Sequence, residues 1–214
     1  MTDPRAAAAP SRITVFGATG RTGHALLERA GEAGLAVTAH GRNPGRLSGS
    51  PAERIVGGSI LDPASVHDAL TGADAAILAV GLGRDRQAPV FTTGTTITIE
   101  AMRAQHVRRL IVLSEAVYPP HTAGLVPRIT AAAYRTVAAA AIRQRRLQDR
   151  LLASSGLDWT VVRPARVVEA PARGLRPNLD VPPRSLTTTT YADLARLILD
   201  IVAEPRTFGG NLYP

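Results

Sequence analysis

Between Ile13-Thr14-Val15-Phe16 and a helical run carrying Ala25, Leu26, Leu27 and Ala30 lies Gly17-Ala18-Thr19-Gly20-Arg21-Thr22-Gly23. This glycine spacing constrains the chain more than any other stretch. A β-branched apolar run, a glycine-rich turn and an apolar pattern of helical period read as strand, turn, helix. Gly17 admits a tight-turn conformation that a Cβ would strain. Gly20 leaves room for an anion against the backbone, and Gly23 lets the helix lie close to the strand. The unpaired N–H groups of the first helical turn then face that anion, the arrangement that holds a dinucleotide pyrophosphate. Gly17, Thr19, Gly20, Arg21, Thr22 and Gly23 are therefore candidate cofactor-binding residues.

The same alternation continues along the chain. Strands are expected near Ile13–Phe16, Ala36–His40, Arg54–Val56, Ala75–Val80, Arg109–Leu113 and Trp159–Val162. Helices are expected near Thr22–Gly34, Pro63–Leu70, Gly94–Gln105, Ile129–Ser154 and Tyr191–Ala203. Strands alternating with helices imply parallel βαβ units, right-handed crossovers and a mostly parallel, doubly wound α/β sheet with helices on both faces. At 214 residues the chain is read as one domain, 12–214, behind a flexible tail, 1–11. Two segments break the alternation at the carboxyl edge, about 118–127 and 168–186. Both are expected to wall or cover a substrate pocket.

A second segment strengthens the reading. Ser155-Gly-Leu-Asp-Trp-Thr-Val-Val-Arg-Pro164 and the Gly-Ala-Thr-Gly-Arg-Thr-Gly turn together resemble the atypical short-chain dehydrogenase/reductase superfamily, near the NmrA-like and biliverdin/flavin-reductase-like NAD(P)-binding proteins. The resemblance runs from about Arg12 to the C-terminus. It implies a Rossmann fold and a nicotinamide cofactor. It also implies that Ser114 stands at the superfamily's active-site serine, that the Arg163-Pro164 backbone meets the carboxamide end, and that Gly57-Gly-Ser-Ile-Leu-Asp62 lies beside the adenine. Ser59 and Ile60 are the candidate contacts there. Asp62, just before Pro63, reads as a helix N-cap. Val80 and Gly81 end the fourth strand, where the backbone should pass the ribose. Trp159, in mid-strand, reads as core.

An NAD site usually places a carboxylate at the end of the second strand. Here that stretch is Thr38-Ala-His-Gly-Arg-Asn43, with no acid. Arg42 can clamp a 2′-phosphate there, with Arg21 approaching from the other side. The expected cofactor is NADP(H).

The chain has 25 basic residues besides histidine, every one of them arginine, and a net charge of +8. Without lysine there can be no Tyr-x-x-x-Lys pair, and none of Tyr118, Tyr134, Tyr191 and Tyr213 has a basic residue four positions later. The expected chemistry is therefore hydride transfer that needs little acid–base help, to a flat conjugated acceptor such as a flavin or quinone. Ser114 and Tyr118 are the candidate catalytic residues, with Ser114 either touching substrate or nicotinamide or capping its loop. His121 and Arg166 are candidate substrate contacts. A cofactor-sensing regulator that binds a protein partner, and a redox-neutral isomerase or cyclase, are the alternatives on the same fold.

Composition narrows the rest. There is no cysteine, so disulfides, thiolate nucleophiles and cysteine-ligated metals are excluded. Five scattered histidines show no metal-ligand spacing, and no metal is expected. No apolar run approaches the ~20 residues of a membrane span, so no membrane partner is expected and cytoplasm is the default compartment. Arg143-Gln-Arg-Arg146 with Arg150 is the densest basic cluster. It lacks interleaved aromatics, which argues against nucleic acid, and is read as a solvated helix face. The protein is expected to be a monomer or homodimer.

Overall fold

The computed structural model describes residues 10–81, 89–116, 118, 121, 125–185 and 187–214, with the backbone alone over 125–138. The expected tail lies almost wholly outside these residues, as do parts of the 118–127 segment and the side chain of Tyr134.

Among the described residues ten strands and five helices follow in chain order: β1 Arg12–Phe16, α1 Arg21–Glu32, β2 Ala36–Gly41, β3 Arg54–Gly57, α2 Pro63–Ala69, β4 Ala75–Leu78, α3 Thr93–Ala104, β5 Arg109–Leu113, α4 Leu125–Ala153, β6 Asp158–Val162, β7 Arg166–Val168, β8 Asn178–Leu179, β9 Thr188–Thr190, α5 Tyr191–Asp200 and β10 Gly210–Tyr213. Eight strands form one sheet in the order β3-β2-β1-β4-β5-β6-β10-β8. All its pairings are parallel except β10 with β8. A separate parallel pair joins β7 to β9. This is the doubly wound Rossmann arrangement, with the order reversing between β1 and β4, the place where such sheets bind ligands.

The expected alternation of faces is present. Ile13 and Val15 of β1 pack with Leu26 and Leu27 of α1 and Leu194 and Ile198 of α5 on one side of the sheet. Phe16 packs with Val66 and Leu70 beside α2, Ile99 and Met102 of α3, and Leu152 of α4 on the other. Trp159 lies half-buried against this second core. Asp62 caps α2, its side chain accepting from the Ala64 N–H at 3.1 Å.

Within the segment 168–186, Leu179 and Asn178 pair with Leu212 and Tyr213. The Asp193 carboxylate accepts from the N–H groups of Arg173 at 2.8 Å and Gly174 at 3.0 Å. One expectation changes: the basic cluster divides. Arg143, Arg146 and Arg150 are exposed as expected, whereas Arg145 is 5% exposed and points inward.

At the start of β5, an interior strand, Arg109 is buried against the C-terminal end of α5. Its guanidinium donates to the carbonyls of Val202 (2.9 Å), Ile201 (2.8 Å) and Asp158 (2.8 Å), and to the Thr160 hydroxyl (2.8 Å). It also lies 4.5 Å over the Phe208 ring. Burial pulls its pKa down to about 10, partly offset by the Asp158 charge. Helix-end carbonyls carry partial negative charge, so a cation fits here without a direct carboxylate partner.

Candidate dinucleotide and substrate site

The three glycines of the β1–α1 turn act differently. Gly17 has φ +81°, and a Cβ on it would come within 2.6 Å of the Ala79 carbonyl oxygen. A Cβ on Gly23 would come within 2.4 Å of the Gly17 oxygen. These two glycines let strand, turn and helix close on one another. Gly20 is different: its Cβ would meet only the Gly17 oxygen, at 3.3 Å, and otherwise faces open space. Gly20 is the N-cap of α1, with no side-chain cap and no acid in the first turn. The free N–H groups and the positive end of the helix dipole are left for an anion.

Two cavities meet at this turn, sharing Gly20, Ala79, Val80 and Gly81. The first, about 460 Å³, runs outward over the ends of β1, β2 and β3. Gly17 and Thr19 line its floor, Arg42 and Arg46 its outer wall, and Ser59 and Ile60 its far end. The second, about 400 Å³, runs the other way over β5 and β6. Thr22 and Arg21 line its near side, Ser114, Glu115 and Arg145 its floor, and Pro164, Arg166 and Tyr191 its far side. Gly23 lies beneath the turn and lines neither.

Arg21 is placed away from Arg42. It lies in the second cavity, 5.6 Å over the Tyr191 ring. The residue that shares the first cavity with Arg42 is Arg46, on the one-turn 3-10 segment Pro44–Leu47 that follows β2. Ser59 turns its hydroxyl to its own loop, accepting from the Leu61 N–H at 3.2 Å. His40, at the end of β2, is 1% exposed on the wall of the first cavity. Its Nε2 lies 3.2 Å from the Ser65 hydroxyl, and its ring meets Phe16 edge-on. Burial drives its pKa down to about 4 against the opposing pull of Asp62, so the ring is neutral at physiological pH.

Beneath the second cavity lies a polar cluster that linear spacing hides. Arg163, 1% exposed, donates from Nη2 to Asp149 Oδ1 at 2.7 Å and from Nε to Asn211 Oδ1 at 2.7 Å. Its Nη1 donates to the Tyr118 hydroxyl at 2.6 Å and to the Ser114 hydroxyl at 3.2 Å. The Tyr118 hydroxyl donates to Asp149 Oδ2 at 3.1 Å. His121 places Nε2 3.4 Å from the same oxygen and Nδ1 2.7 Å from the Tyr213 hydroxyl.

The expected roles change accordingly. Tyr118 and His121 are buried members of this cluster and line neither cavity, and only Ser114 reaches the second one. Arg163 contributes a buried ion pair, and its backbone N–H is taken by the Leu212 carbonyl, so Pro164 is the one of the two that faces the cavity. No tyrosine has a basic residue four positions later, but in space Arg163, just past the end of β6, lies against the Tyr118 hydroxyl. Burial raises the Tyr118 pKa, Arg163 opposing it. Burial also raises Tyr213, to about 12. For Asp149, burial pushes the carboxyl up, but the His121 hydrogen bond and the Arg163 charge hold it below its usual range.

Asp149, Arg145, Glu115 and Arg46 were missed from sequence. One signal was present for Asp149: it is the single acidic residue of the arginine-rich segment 125–153. Arg145 stacks 3.5 Å over Phe91, donates to the Leu113 carbonyl at 3.1 Å and pairs with Glu115 at 3.3 Å.

The glycine turn and the groove across it are those of a nucleotide-binding protein, and a family model described as NAD(P)H-binding matches residues 17–205. The chain belongs to this NAD(P)H-binding family. Solved structures share its fold. An oxidoreductase from Lactococcus lactis is 23% identical, with a TM-score of 0.77 over 94% of this chain and 89% of that one. A Rossmann-fold NAD(P)-binding family protein from Shigella flexneri is 21% identical, with a TM-score of 0.70 over 95% and 92%. A short-chain dehydrogenase/reductase from Veillonella parvula, solved in complex with NADP, is 16% identical, with a TM-score of 0.74 over 95% and 94%. Among the described residues no three histidine, aspartate or glutamate side chains gather as metal ligands, and no helix is long and apolar enough to cross a membrane.

Proposed function

We propose that the protein is an NADPH-dependent reductase of a flat, conjugated small molecule. The observation that carries this is one groove running from the glycine turn to Ser114. The residues fit the cofactor. The open space at Gly20 and the uncapped α1 N-terminus accept a pyrophosphate. Arg42 and Arg46, with no carboxylate beside them, suit a 2′-phosphate. The Val80-Gly81 backbone passes between the two cavities, where a ribose would lie, and Pro164 and Ser114 border the far end. When bound, the reduced nicotinamide supplies a hydride there. Ser114 orients the acceptor by hydrogen bonding and holds a proton at Oγ. Arg166 and Tyr191 close the outer side, where a planar acceptor can stack.

The test is loss of reduced-nicotinamide absorbance when the purified protein is given NADPH with flavins, quinones and conjugated ketones in turn. Turnover with at least one acceptor is expected, together with a loss of about 10²-fold or less in Ser114→Ala. No oxidation with any acceptor, with NADPH binding intact, overturns the reading.

A further inference from the structure

We propose that Ser114, Tyr118 and Asp149 form a proton relay that carries a solvent proton to the acceptor, with Arg163 as its fixed positive centre. The inference rests on the reductase reading and concerns the proton that reading leaves unassigned. The cluster spans the distance between cavity and solvent. Ser114 lines the second cavity. Tyr118, with no exposure at all, fills the middle, its hydroxyl 3.4 Å from Ser114 Oγ and 3.1 Å from Asp149 Oδ2. The Asp149 side chain is 25% exposed at the outer end. Each group between is within reach of the next.

The step balances as follows. As the acceptor gains a hydride and its electron pair, its oxygen or nitrogen takes the proton of Ser114 Oγ–H. The Tyr118 proton turns from Asp149 to Ser114, leaving a phenolate beside Arg163. Asp149, a carboxylate at rest, takes up a solvent proton at its exposed edge and passes it to the Tyr118 oxygen, so one solvent proton is consumed per hydride and Asp149 ends as the carboxylate it began. Arg163 Nη1 donates to both hydroxyl oxygens, which stabilises negative charge on either as the protons move. A buried cluster with no relay function would need neither a serine lining the cavity nor a carboxylate open to solvent. Tyr118 and Asp149 are positioning and relay residues; Ser114 alone touches the acceptor.

Two acceptors separate the relay from general damage. A neutral quinone needs both a hydride and a proton. A cationic phenothiazinium dye becomes neutral on taking a hydride alone. Tyr118→Phe and Asp149→Asn should each lower kcat with the quinone about 10- to 100-fold more than with the dye. NADPH affinity and melting temperature are measured on the same samples. Tyr118→Phe removes only a hydroxyl and carries the test if Asp149→Asn folds poorly. In the cofactor-free protein, the ring ¹⁵N resonances of His121 should shift in both variants, since both alter what Asp149 Oδ2 accepts. Equal losses with the two acceptors, no loss with either, or unmoved His121 resonances would overturn the relay and leave the reductase reading standing. A wild-type protein that oxidises NADPH with neither acceptor overturns both.

Discussion

Burial of His40 makes the stability of the cofactor-free protein depend on pH in a window that few other groups share. The ring is 1% exposed, and its pKa falls from 6.5 to about 4, through burial against the pull of Asp62. In the unfolded chain the ring protonates as pH drops through 6.5, whereas in the native protein it stays neutral until pH 4. Between those values the unfolded state binds more protons, so stability falls as pH falls. Two unequal titrations of this kind remove about 2.5 kcal/mol between pH 8 and pH 4.5. The lowered carboxyls Asp149 and Asp193 act below this window. Against burial, hydrogen bonds and nearby arginines hold them ionised, and their contribution is lost only as pH falls through the carboxylate range. Urea unfolding of wild type and His40→Gln at several pH values is the assay. The wild-type curve should carry the extra slope, and the variant should be flatter by about the same 2.5 kcal/mol, whatever its absolute stability. Parallel curves would refute the reasoning and mean that the native ring protonates freely.

Three further outcomes are expected. Gly20→Val should fold normally yet bind NADPH at least about tenfold more weakly, while Gly23→Ala should lose about 2 kcal/mol or more of stability because its Cβ meets backbone; titration and urea unfolding distinguish them, and a destabilised Gly20→Val would contradict the division. Arg42→Ala and Arg46→Ala should each narrow the gap between NADPH and NADH affinity, and unchanged NADPH affinity in both would move the phosphate contact elsewhere. Arg109→Ala should cost about 3 kcal/mol by orphaning the carbonyls of Ile201, Val202 and Asp158, so an unfolding midpoint close to wild type would show that water replaces it.

The sheet and its glycine turn were legible because they obey local rules. β1, β2, β4 and β5 are apolar runs bounded by turns, and each helix that follows repeats at helical period. The strands that escaped notice are short or polar: Arg166–Val168, Asn178–Leu179, Thr188–Thr190 and Gly210–Tyr213 hold two to four residues each and are strands only because a neighbour pairs with them. The site divided in the same way. Gly20, Thr19, Arg42, Val80 and Pro164 lie on turns whose position the strand order fixes. Arg163 meets Tyr118 across 45 positions and Asn211 across 48, separations at which no sequence spacing can be read. Arg145 and Arg146 are adjacent and identical in type, and only packing beside Phe91 sends one inward.

The place of β10 has a consequence for how the molecule comes into being. It lies beside β6, and from it Asn211 reaches Arg163 and Tyr213 reaches His121. Residues 12–113 can lay down five neighbouring strands and the glycine turn as they leave the ribosome. The buried cation, its carboxylate and the two phenols cannot settle until residue 213 has emerged. A chain paused before that point would hold a formed dinucleotide turn beside an Arg163 still lacking part of its surroundings. Synthesis thus separates formation of the glycine turn from completion of the buried polar cluster, and the second depends on contacts spanning up to 92 residues.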